Sequence, residues 1–305
     1  MAAISIKSTR HNGLTATVLP TFRQYKKITD MAQSNIMPGF RPAISFTLVY
    51  LALIVLIPLS AMLMKTFQLS LDEYWAILTN ARVQASFRIS FGAALIAAFA
   101  AGVLGFIIAW SLVRYNFPGK RLFDALIDLP FALPTAVAGI VLATIYEPRG
   151  WIGKLVMDST GIQIAYKPLG ITFALIFIGL PFVVRTIEPV LQEFDTAMEE
   201  AAASLGATRL QTFIKVILPN ILPATITGIA LAFARGVGEY GSVIFIAGNM
   251  PYISEIVPLL IITKLEQYDY AGATAIGLTM LILSFLLLLL INGLQWWVRR
   301  RSGQL

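Results

Sequence analysis

Arg235 and Glu239 follow the apolar run ITGIALAFA and sit four residues apart. On a helix that spacing puts both on one face, within ion-pairing reach. At a membrane helix centre an arginine costs roughly 2.5–3.5 kcal/mol on insertion scales, so it must face a partner or a wet cavity. Two roles fit. The pair neutralises itself and holds the helices together, or Arg235 is a cationic station on an anion's route. In the second role Glu239 tempers the grip, because an ion held too tightly does not leave. Asp124, Asp128 and Arg185 flank other apolar runs and read as a charged network near the cytoplasmic mouth of the same route. Pro130, Pro134 and Thr135 could bend the chain so that freed backbone groups face the pore.

A second polar feature interrupts the hydrophobic pattern. Residues 199–219 read EEAAASLGATRLQTFIKVILP. From Thr196 to Leu205 the segment is rich in strong helix formers. Asp195 or Thr196 can cap its start, and Glu199 and Glu200 suit the positive end of the helix dipole. Gly206 can end that helix in a left-handed conformation. A second helix is expected from about Thr208 to Leu218, with Phe213, Ile214 and Ile217 on its apolar side. Pro219 would stop it, and the next span would begin near Pro223. By composition alone an ordinary amphipathic loop is the better reading.

Several chemistries leave no trace. There is no His-Glu-x-x-His, no Gly-x-Ser-x-Gly and no Gly-x4-Gly-Lys-Ser/Thr string. The chain therefore carries no phosphate-cradling loop, and no catalytic residue is assigned. Cysteine is absent and His11 is the only histidine, so no metal centre is expected. Residues 236–241, Gly-Val-Gly-Glu-Tyr-Gly, match a dinucleotide fingerprint on paper. That fingerprint needs a strand before it and a helix after it; inside an apolar span the glycines read as close packing or helix flexibility.

The elements that position these residues are membrane helices. Of 305 residues, 57% are hydrophobic and only 13% charged. Six spans are expected, at roughly 43–64, 86–113, 122–146, 168–190, 219–247 and 273–297, each long enough for a hydrocarbon core of about 30 Å. The net charge of +7 reads as membrane orientation, not nucleic-acid binding. With the N-terminus inside, fifteen basic residues fall in cytoplasmic segments and seven in outer ones, leaving Arg235 within a span. The fold class is an all-α bundle with both termini cytoplasmic and lipid as its solvent. Residues 1–42 form a cytoplasmic tail in which Val18, Phe22, Tyr25 and Ile28 could face the membrane as an interfacial helix. Residues 43–298 form the transmembrane domain, with the polar loop at about 191–219. Residues 299–305 close the chain in the cytoplasm.

The spacing Glu200-Ala201-Ala202, three residues, Gly206, nine residues, Val216, one residue, Leu218-Pro219 resembles the signature of ABC importer permeases, Glu-Ala-Ala-x3-Gly-x9-Ile-x-Leu-Pro. Valine at 216 is the one departure. The stretches DALIDLPFALPTAVAGIVLATIY, GLPFVVRTIEPVL and FARGVGEYGSVIFIAGN extend the likeness to the T subunits of sulfate/thiosulfate permeases. The resemblance covers about residues 40–300 and leaves the N-terminal tail without a counterpart.

That resemblance implies a six-helix permease that lines one pathway with a W-type permease. It implies a homodimer of cytoplasmic ATPases, which hold ATP and Mg, and a periplasmic sulfate/thiosulfate-binding protein. Carried over by position, Glu200, Ala201, Ala202, Gly206, Val216, Leu218 and Pro219 would belong to the coupling helix that docks on the ATPase. A permease for a related oxyanion such as molybdate is one alternative. A stand-alone ion-coupled secondary transporter is another; it would show inverted repeats and midplane ionisable groups in both halves.

Overall fold

The structure is a computed structural model and describes residues 40–301. The expected interfacial helix between Val18 and Ile28 and the last four residues lie outside that range. The described residues are helical, with no strand among them. The chain divides into two units at Leu59/Ser60. The first contains most of α1 (Phe40–Thr66). The second holds the remaining helices: α2 (Leu71–Thr79), α3 (Ala81–Arg114), α4 (Lys120–Ile127), α5 (Leu129–Ala132), α6 (Thr135–Tyr146) and α7 (Trp151–Thr160). It continues with α8 (Pro168–Gln192), α9 (Thr196–Ser204), α10 (Arg209–Thr212), α11 (Leu218–Val237), α12 (Val243–Ala247), α13 (Val257–Glu266) and α14 (Tyr270–Arg301).

The core of the second unit is the packing of α3, α8 and α11. In α3 the buried positions Ser90, Ala94, Ala97, Ala101 and Gly105 recur at spacings of three and four, so one face of the helix is small throughout. Without a hydrophobic drive between helices in lipid, such faces let backbones approach and gain dispersion contacts. The approach is close. A Cβ on Gly105 would lie 2.7 Å from the Val183 side chain, and one on Gly228 would lie 2.9 Å from the Val183 Cα. Val183, Val184, Ile187 and Ile221 fill the seam and are wholly buried.

Five helices among the described residues are long and apolar enough to cross a membrane: Pro42–Thr66, Ala81–Arg114, Pro168–Gln192, Arg209–Val237 and Tyr270–Gly293. The third expected span is not one helix. Residues 120–146 form α4, α5 and α6, broken at Asp128 and again at Leu133-Pro134. Pro130 sits at the start of α5 and Pro134 caps α6, where a missing N–H costs nothing. The fifth span also departs from expectation. It begins before Pro219 and its long helix ends at Val237, with a turn before the short α12. Pro181 and Pro189 lie inside an unbroken α8. The segments between spans are largely helical, as α2, α7 and α13.

Candidate functional site

The polar loop is an ordered elbow. Asp195 caps α9, its carboxylate accepting from the Ala197 N–H at 2.8 Å. Gly206 takes φ +83°. The Gly206 N–H then donates to Ala203 and the Ala207 N–H to Ala202, at 2.9 and 3.0 Å, which satisfies two carbonyls at the helix end. No atom lies within 4 Å of where a Gly206 Cβ would sit. Backbone conformation, not crowding, requires the glycine. Thr208 and Gln211 then cap each other's backbone N–H groups, which starts α10.

The second helix of the elbow does not stop at Pro219. Residues 213–217 form a π-helical turn, in which the Leu218 N–H reaches the Phe213 carbonyl. α11 then continues through Pro219 and Pro223. A proline inside a helix leaves a carbonyl without its usual partner. Here the π turn opens the ladder just before Pro219, and the Asn220 side chain donates to the Val216 carbonyl at 2.7 Å. The elbow therefore joins directly to a membrane helix. Its surface exposes several large apolar side chains: Leu205 is 90% exposed, Leu210 66%, and Ile214 and Met198 are also exposed. Glu200 and Ala201 share that exposed surface, Ala202, Val216 and Leu218 are half-buried, and Pro219 is exposed.

The Arg235–Glu239 pair forms, although not in the middle of a helix. Arg235 lies in the last turn of α11 and Glu239 in the turn beyond it. Arg235 Nη1 is 2.5 Å from Glu239 Oε2. The Ser242 N–H and hydroxyl both donate to Glu239 Oε1 at 3.0 Å. Glu239 is 2% exposed, whereas the Arg235 side chain is 36% exposed. The carboxylate is thus fixed on both oxygens, while the guanidinium keeps donors open to its surroundings.

The two helix breaks face each other. A Cβ on Gly241 would come within 2.2 Å of the Thr135 hydroxyl oxygen, and one on Gly139 within 2.3 Å of the Ser242 carbonyl. Thr135 and the start of α6 therefore lie against the 238–242 turn, which excludes a Cβ at both glycines. Of the glycines in the G-x-G-x-x-G string, Gly241 serves this packing and Gly236 meets Ala94 and Leu175, whereas nothing lies within 4 Å of where a Gly238 Cβ would sit.

Arg185 gathers a separate cluster. Its Nε and Nη2 donate to the two Asp128 carboxylate oxygens at 2.9 and 2.6 Å. Its Nη1 lies 2.8 Å from Asp124 Oδ1 and 2.6 Å from Glu188 Oε2. One arginine thus meets three carboxylates and bridges α4 and the break at Asp128 to α8. Gly228 packs on Val183 and Gly236 meets Leu175, so α8 and α11 run antiparallel and the two arginines sit about 13 Å apart along them.

Other interactions were not anticipated from the sequence. Glu188 completes the Arg185 cluster, and only its place one turn after Arg185 could have marked it. Arg82 grips the wholly buried Glu255 with two bonds, at 2.7 and 2.6 Å, across 173 residues. Arg114 pairs with Glu199 of the elbow, 85 residues away. Lys264 holds Asp269 at 2.9 Å. No group of carboxylates and histidines among the described residues could hold a metal ion.

Known proteins resemble this chain in sequence and in fold. The model of a family described as binding-protein-dependent transport system inner membrane component matches residues 101–304. A sulfate transport system permease protein CysT of Synechocystis is 52% identical over 257 residues, 84% of this chain and 90% of the relative. The CysT protein of Escherichia coli K12 is 45% identical over 271 residues, 89% of this chain and 98% of the relative. Among solved structures, a bacterial ABC transporter involved in import of the polysaccharide alginate superposes with a TM-score of 0.71 at 14% identity, covering 90% of this chain and 98% of that one. The MetNI methionine ABC transporter superposes with a TM-score of 0.51 at 20% identity, covering 76% and 99%. These likenesses at low identity concern the fold.

Proposed function

Since the chain belongs to the family of binding-protein-dependent transport system inner-membrane components, we propose that it is the T-type permease subunit of an ATP-driven sulfate/thiosulfate importer. It lines the pathway with a W-type permease. A homodimer of cytoplasmic ATPases holds ATP and Mg and supplies the work, and a periplasmic binding protein delivers the anion. Both termini and the elbow lie in the cytoplasm, in keeping with the bias of basic residues. The sulfate permeases among its relatives support the substrate.

The observation that carries the reading is the elbow. A capped helix, a left-handed glycine and a π turn lead without interruption into α11. The exposed Met198, Leu205 and Leu210 offer apolar side chains for a protein contact. Glu200 can accept charge-assisted hydrogen bonds from a partner at its edge. A push on this knob moves a rigid membrane helix, the rigid-body form of a switching transition. At the far end of α11, Arg235 offers open donors to a divalent anion. Buried Glu239 opposes its charge, so binding is weak enough to reverse. Arg185, outnumbered by Asp124, Asp128 and Glu188, repels an anion toward release.

Purification with the candidate ATPase, second permease and binding protein tests the reading. Hydrolysis is expected to rise when the binding protein carries sulfate, and Glu200→Arg is expected to prevent ATPase docking or uncouple it. Uptake that needs neither ATP nor an ATPase would overturn the importer reading. Stimulation by molybdate and not by sulfate would reassign the anion.

A further inference from the structure

The elbow is held by a third helix as well as by the two it connects. Arg114 is the last residue of α3, and its guanidinium pairs with Glu199 in the first turn of α9. The same guanidinium lies 5.1 Å from the Trp110 ring centroid and 5.9 Å from that of Phe194, which precedes α9. Trp110 meets Phe213 edge-on at 5.6 Å, where the π turn begins. The end of α3 thus grips the elbow at its approach, its first helix and its exit. Arg114 and Glu199 are only 20% and 29% exposed, so the contact is screened less than a surface pair.

The opposite end of α3 is anchored as well. Arg82 holds the buried Glu255 with two bonds, and the Ser90 hydroxyl accepts from the Val257 N–H at 2.7 Å. Glu255 lies just before α13 and Val257 opens it. The whole of α3 has 34 residues and no proline, a length of about 50 Å. Such a helix moves as a body, because its packed small-residue face leaves little room for bending.

We propose that α3 is a strut between the elbow and the segment leading into α13. Arg114 is the positioning residue that receives the displacement, and Arg82 with Glu255 delivers it. Movement of the elbow by the ATPase shifts α3 along its axis and carries Glu255 and the start of α13 with it. The inference rests on the elbow being the point of coupling.

The test uses the assembled transporter in proteoliposomes, with sulfate-loaded binding protein on one side. ATP hydrolysis, sulfate uptake and co-purification of the ATPase are measured together. Arg114→Ala and Glu199→Gln are expected to retain the ATPase while uptake per ATP falls about tenfold. The exchange Arg114→Glu with Glu199→Arg is expected to recover much of that ratio, which a loss of packing alone would not allow. The double change Arg82→Ala with Glu255→Ala, which leaves no buried charge, is expected to lower the ratio similarly. An unchanged ratio in both Arg114→Ala and Glu199→Gln overturns the strut. Glu200→Arg separates the two ideas: if it abolishes docking while those variants keep the ratio, only the strut fails. If Glu200→Arg is without effect, the coupling assignment itself fails.

Discussion

Arg235 and Arg185 are both arginines of membrane helices, yet their surroundings differ. Arg235 has one carboxylate, buried and held on its second oxygen by Ser242. Arg185 has three, two of them nearly half exposed. Where water is excluded, a charge must be matched one for one and every lone pair satisfied. Where water reaches, an excess of negative charge is tolerated. On the proposed pathway the first site would be a weak cationic station and the second an acidic exit. The difference also separates a pair that seals a break in a helix from one that fastens several segments together.

The largest effect is expected from Arg235→Met, which strands the buried Glu239 carboxylate without its cation. A destabilisation of about 3–5 kcal/mol is expected for breaking a buried pair, read as a lower unfolding temperature of the detergent-solubilised complex. Arg185→Met leaves three carboxylates facing one another with partial access to water. Its cost is expected to be smaller, about 1–3 kcal/mol, and to shrink as salt is added. A cost equal to that of Arg235→Met would erase the contrast between the sites.

Removing both charges of the buried pair sharpens it. The double change Arg235→Met with Glu239→Gln leaves no stranded ion, so folding is expected to survive. Sulfate uptake is expected to fall about tenfold, a change of about 1.4 kcal/mol. Normal uptake by this variant would make the pair purely structural.

The smallest effect concerns Asp269, which serves as a peripheral reference. Lys264 and the Gly272 N–H hold its carboxyl below the usual carboxylate range. Its ionised form is thus favoured by folding. That contribution is complete above the ordinary value of 3.8 and is lost as pH falls through the lower folded value. Melting curves of Asp269→Asn and the parent are expected to differ at pH 6 and to converge in strong acid.

The elbow was legible because its determinants are local. A cap, a run of helix formers and a glycine that needs positive φ all act within about a dozen residues, and Asp195, Thr208 and Gly206 behave accordingly. The Arg235–Glu239 pair was legible for the same reason. Hydropathy located the membrane helices but not their interruptions. Pro134 ends one run, whereas Pro181, Pro189, Pro219 and Pro223 lie in helices that continue. What separates them is how the surrounding helix accommodates the missing N–H, as the π turn before Pro219 does, and that depends on local geometry after folding. The partners of Arg82 and Arg114 lie across the fold, and a single sequence gives no distance between such residues.

The π turn at Phe213–Ile217 sets the angular phase between two working surfaces. It accommodates one residue more than a regular turn, and each residue of a helix advances the azimuth by about 100°. Without it, the direction in which Leu205 and Leu210 project would swing by that amount relative to Arg235 on α11. The same side chains would then address a different quadrant of whatever lies beneath the elbow. Five residues thereby keep a surface patch and an interior charge on a common clock.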